Sequence, residues 1–121
     1  DPAAYVPNCE PGSWGAEFYR LQPAEEDIVI TKNRYSAFVG TNLNLVLQSL
    51  KCRSLLFTGV ATNVCVETSM RDAVSYDYYA TLVEDCCGTF SPEEHQSAIR
   101  NLEKQFGYVT TSAEVYRLWE N

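Results

Sequence analysis

The chain has 121 residues and a formal net charge of −7, with 45% hydrophobic and 21% charged residues. This is the size and composition of one ordinary globular domain. The basic residues are few and scattered, which argues against a nucleic-acid partner, because such partners require clustered Lys and Arg. No apolar run approaches the roughly 20 residues of a membrane span, and residues 1–5 carry no signal-like segment, so we expect a cytoplasmic protein with no membrane partner.

The five cysteines favour a reducing compartment and free thiols, since their number is odd and none are spaced as C-x-x-C. A single histidine, His95, leaves a Cys/His zinc site short of ligands, and we expect no metal and no cofactor. Cys86 and Cys87 are adjacent, which is poor geometry for a bridge between them. A redox role for that pair remains a weaker alternative.

Residues 1–24 read as an irregular loop with a short helical turn at 14–19, and residues 25–121 as an alternation of strands and helices. The predicted strands span 27–32, 54–58, 79–84 and 108–111, and the predicted helices span 42–50, 65–76, 91–106 and 112–118. Thr41 and Ser112 are expected helix caps. Ser91, Pro92 and Glu94 form a capping box with proline at the first helical position. The alternation predicts an α/β fold with a mostly parallel sheet between helical layers.

Cys65 lies at the turn between the strand at 54–58 and the following helix. A thiol is a nucleophile only as the thiolate, and the N-terminus of a helix favours that form. Lys32 and Asp85 also lie at or beyond the ends of predicted strands, at the edge where ligands bind in such sheets. The alternatives are a buried structural Cys65, a solvated Lys32, and a structural loop role for Asp85, which we favour. One helix face is predicted to pack on the sheet: Val66, Ser69, Met70 and Ala73.

Two segments with specific spacing carry a family resemblance. They are Lys-Asn-Arg-Tyr-Ser-Ala-Phe at 32–38 and Thr-Gly-Val-Ala-Thr-Asn-Val-Cys-Val-Glu at 58–67. Together with Arg-Asp-Ala at 71–73 they resemble the isochorismatase-like cysteine hydrolases, and within them most resemble the ureidoacrylate and biuret amidohydrolase branch. The resemblance covers roughly residues 9–115. It implies a Rossmann-like αβα fold, of which residues 1–121 form the C-terminal part of a single domain.

The resemblance implies a Cys–Asp–Lys triad, with Cys65 as nucleophile and Lys32 as its cation. It further implies a cis peptide between Val60 and Ala61 and an oxyanion hole made by the backbone N–H groups of Ala61 and Cys65. The implied reaction is hydrolysis of a C–N bond in a small amide, ureide or carbamoyl substrate through a thioester, without a cofactor. Nicotinamidases of the family hold a metal with Asp and His, and one histidine offers no such set.

The sequence indicates the substrate-binding residues less specifically than it indicates the triad. Tyr35 and Phe38 could wall the pocket, and Arg34 or Asn63 could read a carboxylate or a urea group. The ordinary alternatives are core packing for the aromatic residues and helix capping for Asn63. Trp14 and Glu17, in a loop that could fold over the site, are weaker candidates.

The family's triad aspartate ends a first strand that has no counterpart in this sequence, and Asp27 begins a predicted strand rather than ending one. We expect an N-terminal segment or a second chain to carry that strand and its aspartate. Alternatives are an inactive truncated homologue and a non-catalytic interaction domain of the same fold. The resemblance also implies a homo-oligomer.

Overall fold

The computed structural model describes residues 8–120. The strands are β1 (Ser54–Val60), β2 (Tyr79–Gly88) and β3 (Tyr108–Thr110); the helices are α1 (Leu43–Ser49), α2 (Glu67–Ser75), α3 (Pro92–Gln105) and α4 (Ser112–Trp119). A 3₁₀ turn at Trp14–Ala16 and a π-helical turn at Thr62–Val66 complete the list. Within 8–120, no helix combines the length and the apolar character needed to cross a membrane.

The three strands form one sheet in the order β1-β2-β3, and both pairings are parallel. Leu55 of β1 pairs with Ala80 of β2, and Leu82 of β2 pairs with Val109 of β3. The connections run through helices, as a parallel sheet requires. The predicted α/β fold with a parallel sheet is therefore confirmed.

The core is built on β2, whose two faces are both covered. Leu82 and Val83 are consecutive strand residues that point to opposite faces, yet both are buried. The main cluster joins α2, β2 and α3: Val66, Met70, Ala80, Leu82, Ile99 and Leu102. The predicted packing face of the Cys65 helix is confirmed, because all four of its expected residues are buried: Val66, Ser69, Met70 and Ala73.

Helix α3 begins as its sequence predicts. The Ser91 hydroxyl accepts the Glu94 N–H at 3.2 Å and donates to the Glu94 carboxylate at 3.1 Å, and Pro92 is the first helical residue. The cap predicted for α4 is wrong by one position: Thr111 is extended and its hydroxyl accepts the Glu114 N–H. Ser112 instead donates to Asp85.

The strand predicted at 27–32 is wrong for the described structure, which has three strands rather than four. A β-strand is defined by backbone hydrogen bonds to a neighbouring strand. Segment 27–32 forms no such pairing with any strand among residues 8–120. Ile28 and Val29 are accordingly more than half exposed. In contrast, β2 continues past its predicted end, because Cys87 and Gly88 pair with Gly59 and Val60 beyond a register irregularity.

Candidate functional site

The end of β1 leads directly into the segment that carries Cys65. Between Phe57 and Gly59 the pairing of β1 with β2 shifts register, and Gly59 has a φ of +114°. No atom lies within 4 Å of a Cβ built at Gly59, so the glycine is needed for its backbone conformation rather than for space. The next peptide bond but one, between Val60 and Ala61, is cis, the position that the resemblance implies.

Cys65 does not sit in an ordinary first turn of an α-helix. Residues Thr62–Val66 form one π-helical turn, in which the Val66 N–H donates to the Ala61 carbonyl at 3.2 Å, and α2 continues from Glu67. Such turns are rare and are frequent at functional sites. The Cys65 side chain is half-buried within this turn.

Lys32 and Cys65 are brought together. The Nζ atom of Lys32 lies 3.6 Å from the Sγ atom of Cys65 and donates a hydrogen bond to the Arg34 carbonyl at 2.9 Å. A cation at this distance favours the thiolate form of a cysteine. Within residues 8–120 neither recorded partner of Lys32 is a carboxylate. Among the described residues, Lys32 therefore contacts the thiol and forms no ion pair with a carboxylate.

Two side-chain hydrogen bonds fasten the π-helical turn to the rest of the chain. Thr62 Oγ1 lies 2.8 Å from Nδ1 of His95 on α3, and the Thr89 hydroxyl, just after β2, donates to the Asn63 side-chain carbonyl at 2.6 Å. Sequence reasoning missed both bonds. They join residues 33 and 26 positions apart, and no local pattern signals such pairs.

The residues named as substrate contacts differ in their environments. Tyr35 is 67% exposed, and the Arg34 guanidinium donates to the carbonyl of the preceding residue, Asn33. Phe38 is buried in a second apolar cluster. The centroid of its ring lies 5.4 Å from the ring centroid of Tyr76 and 6.2 Å from that of Tyr78. That placement is the core-packing alternative given above for Phe38.

The remaining candidates also have ordinary environments. Trp14 is 84% exposed, and with Glu17 and its neighbours it lines a shallow cavity of about 210 Å³ within its own loop. Asp85 accepts hydrogen bonds from the hydroxyl and the N–H of Ser112, which lower the pKa of its carboxyl group and attach β2 to α4. Asp85 therefore has a structural role, as we favoured, but it lies within β2 rather than in a loop after the strand.

The adjacent cysteines differ in environment. Burial raises the pKa of the Cys87 thiol to about 11, and its Sγ lies 3.8 Å from the Phe57 carbonyl, whereas Cys86 is exposed. A thiol with such a pKa is protonated near neutral pH and is a poor nucleophile. The environment of Cys87 therefore argues against the redox alternative.

A larger cavity of about 500 Å³ lies at the opposite edge of the sheet, lined by the first residues of β2 and β3, Tyr79 and Tyr108, together with Arg53 and Phe106. It contains neither Lys32 nor Cys65. Among residues 8–120 no three or more His, Cys, Asp or Glu side chains cluster in a way that could hold a metal ion.

Most of this chain is similar in sequence to proteins named ureidoacrylate amidohydrolase. It is 44% identical over 102 residues to the ureidoacrylate amidohydrolase RutB of Agrobacterium fabrum, which covers 83% of this chain and 45% of that protein. It is 41% identical over 101 residues to RutB of Acinetobacter baylyi, covering 82% of this chain and 41% of the relative. The chain thus spans less than half the length of these curated relatives.

Solved structures agree with the fold. An isochorismatase-like hydrolase from Alkaliphilus metalliredigens superposes with a TM-score of 0.86 at 31% identity, covering 89% of this chain and 59% of that one. The nicotinamidase/pyrazinamidase PncA of Bacillus subtilis gives a TM-score of 0.84 at 28% identity, covering 90% and 64%. The family model described as Isochorismatase domain matches residues 1–114. With that match and with a site-bearing turn of this form, the chain belongs to the isochorismatase family.

Proposed function

We propose that the protein is a cysteine hydrolase that cleaves a C–N bond of a small amide, ureide or carbamoyl substrate through a thioester on Cys65. The observation that carries the proposal is the 3.6 Å approach of Lys32 Nζ to Cys65 Sγ at the carboxyl end of β1. The relatives named ureidoacrylate amidohydrolase favour a ureide that carries a carboxylate as the substrate class. We therefore choose ureidoacrylate as the first compound to assay.

In the proposed reaction a carboxylate takes the Cys65 proton, and the thiolate, stabilised by the Lys32 ammonium, attacks the substrate carbonyl carbon. The backbone N–H groups of Ala61 and Cys65 receive the negative charge that develops on the carbonyl oxygen. The carboxylic acid returns its proton to the nitrogen as the C–N bond breaks, releasing the amine and leaving a thioester. Water then gives a proton to the carboxylate and adds as hydroxide to the thioester carbon. The C–S bond breaks, the acyl or carbamoyl product leaves with the added hydroxyl, and the carboxylic acid returns its proton to the Cys65 sulfur.

The carboxylate is proposed to come from an N-terminal segment or a second chain that adds a strand beside β1. Two features support this placement. Within residues 8–120, β1 pairs with β2 alone, and its residues Leu56 and Val60 are 47% and 75% exposed. The apolar segment at 27–32 lacks a strand neighbour although it holds Lys32 at the site. A strand ending in Asp beside β1 would cover this edge and bring an acid to the thiol.

The test is ammonia release from ureidoacrylate by the complete protein and by two cysteine variants. We expect Cys65→Ala to lower turnover at least a thousandfold, because the nucleophile is lost, without changing the free energy of unfolding by more than about 0.5 kcal/mol. The matched control is Cys86→Ala, which alters an exposed thiol and is expected to retain activity. Full activity of Cys65→Ala would contradict the nucleophile assignment, and loss of activity in Cys86→Ala would revive the redox alternative.

A second measurement concerns partners. The native mass of the protein, compared with its mass under denaturing conditions, reports whether a longer chain or a second polypeptide accompanies these residues. We propose a homo-oligomer of the complete protein. A single species of 121 residues that binds a partner and hydrolyses nothing would instead support the non-catalytic interaction domain.

A further inference from the structure

The hydrogen bond between Thr62 and His95 joins the reactive turn to the core. Thr62 is fully buried and is the first residue of the π-helical turn, three positions before Cys65. His95 lies on α3, whose residues Ile99 and Leu102 are buried in the main apolar cluster. The bond of 2.8 Å therefore connects the segment that carries the thiol to a helix anchored in the core.

Packing alone does not account for a hydroxyl at this position. A valine would fill nearly the same volume as Thr62, and burying a hydroxyl is unfavourable unless it is hydrogen-bonded. Because Thr62 is inaccessible, water cannot replace His95 as its partner, whereas the partly exposed His95 could bond to water without Thr62. Loss of the bond would therefore cost the buried hydroxyl of the turn more than the imidazole of α3.

We propose that His95 and Thr62 are positioning residues that hold the Cys65 turn where its thiol meets Lys32. This inference rests on the proposed function, since it assigns the pair to the alignment of that nucleophile. Reactivity in such sites depends on placement at the scale of 1 Å, so a turn released from α3 moves the thiol away from its cation and from the proposed oxyanion donors. A second tether, from Asn63 to Thr89, holds the adjacent residue.

The decisive variants are Thr62→Val, which removes the hydroxyl and keeps the shape, and Thr62→Ser, which keeps the hydroxyl. In the complete protein, iodoacetamide labelling of Cys65 is followed by peptide mass spectrometry, with the exposed Cys9 as the internal reference thiol. Hydrolysis of ureidoacrylate is measured in parallel. We expect Thr62→Val to slow Cys65 labelling at least threefold relative to Cys9 and to lower kcat about tenfold with KM within twofold. Thr62→Ser should stay within twofold of the wild type in both assays.

His95→Ala is a second variant, which keeps Thr62 and removes its hydrogen-bond partner. It allows the same test to be made if Thr62→Val does not fold. It should slow Cys65 labelling in the same direction as Thr62→Val. Unchanged labelling and kcat in either folded variant would overturn the positioning role. The two proposals can fail separately. If the wild type hydrolyses no substrate but Thr62→Val still slows Cys65 labelling, the proposed hydrolase activity is overturned and the positioning role of Thr62 and His95 is retained.

Discussion

The Nζ atom of Lys32 lies 3.6 Å from the Sγ atom of Cys65, although the two residues are 33 positions apart. Lys32 belongs to a segment that pairs with no strand among residues 8–120, and Cys65 belongs to the turn after β1. The hydrogen bond from Nζ to the Arg34 carbonyl at 2.9 Å orients the ammonium within its own loop. The Lys32 ammonium is therefore held by its own loop while it contacts the thiol of a distant turn.

Replacement of Lys32 by methionine removes the positive charge and leaves a side chain of similar length. The ammonium attracts the negative charge that the sulfur carries as it attacks, and two unit charges about 4 Å apart attract by about 1 kcal/mol in water-like surroundings, or about fivefold in a rate. We expect Lys32→Met to slow iodoacetamide labelling of Cys65 by about that factor near neutral pH, as measured on the Cys65 peptide.

The matched control for the change in net charge is Lys104→Met, which neutralises an exposed lysine in the last turn of α3. Labelling of Cys65 should stay at the wild-type rate in this variant. Equal rates for Lys32→Met and the wild type would remove Lys32 from the proposed triad.

The sequence predicted the structural features that depend on residues close to one another along the chain. The start of α3 followed from Ser91, Pro92 and Glu94, which interact within one turn. The cap of α4 was misplaced by one residue because Thr111 and Ser112 are both competent, and the distant Asp85 engages the Ser112 hydroxyl.

The parts that could not be predicted depend on distant partners. Segment 27–32 has a strand-like sequence, but its state depends on a neighbour that local propensity does not supply. Likewise, nothing near Thr62 indicates that its hydroxyl meets His95, since α3 is brought there by the packing of the core. Predicted strand ends placed Lys32 and Cys65 at one edge of the sheet, and the family resemblance implied that they act as a pair.

Gly107, between α3 and β3, is expected to tolerate no side chain. A Cβ built at this position would stand 2.1 Å from the Ala80 carbonyl oxygen and 2.9 Å from Met70 Cε. This carbonyl oxygen belongs to the backbone of the central strand, so it cannot move aside without disturbing the sheet. We expect Gly107→Ala to lower the free energy of unfolding by about 3 kcal/mol, measured by urea denaturation of the complete protein.

Gly15→Ala is the matched control for the added methyl group. The nearest atoms to a Cβ at Gly15 are 3.8 Å away, which is ordinary van der Waals contact. This variant should unfold within about 0.5 kcal/mol of the wild type. A similarly small effect of Gly107→Ala would mean that the α3–β3 connection can shift away from β2.

Asp85 links stability to pH through its contact with α4. The Ser112 hydroxyl, followed by the Ser112 N–H, holds the pKa of the Asp85 carboxyl group below its ordinary value of 3.8. A carboxyl group whose pKa is lowered by folding binds protons more weakly in the native state. Its stabilising contribution is therefore complete above pH 3.8 and is lost as the pH falls through the lower native pKa.

Asp85→Asn removes the charge while keeping the shape of the side chain. We expect the wild type to have the higher urea midpoint at about pH 6, and the gap between the two proteins to narrow as the pH falls below about 3.8. In a Ser112→Ala background, which lacks the first donor, the same gap should be smaller and less dependent on pH. A gap of constant size across this range would show that the Ser112 contact does not depend on the charge of Asp85.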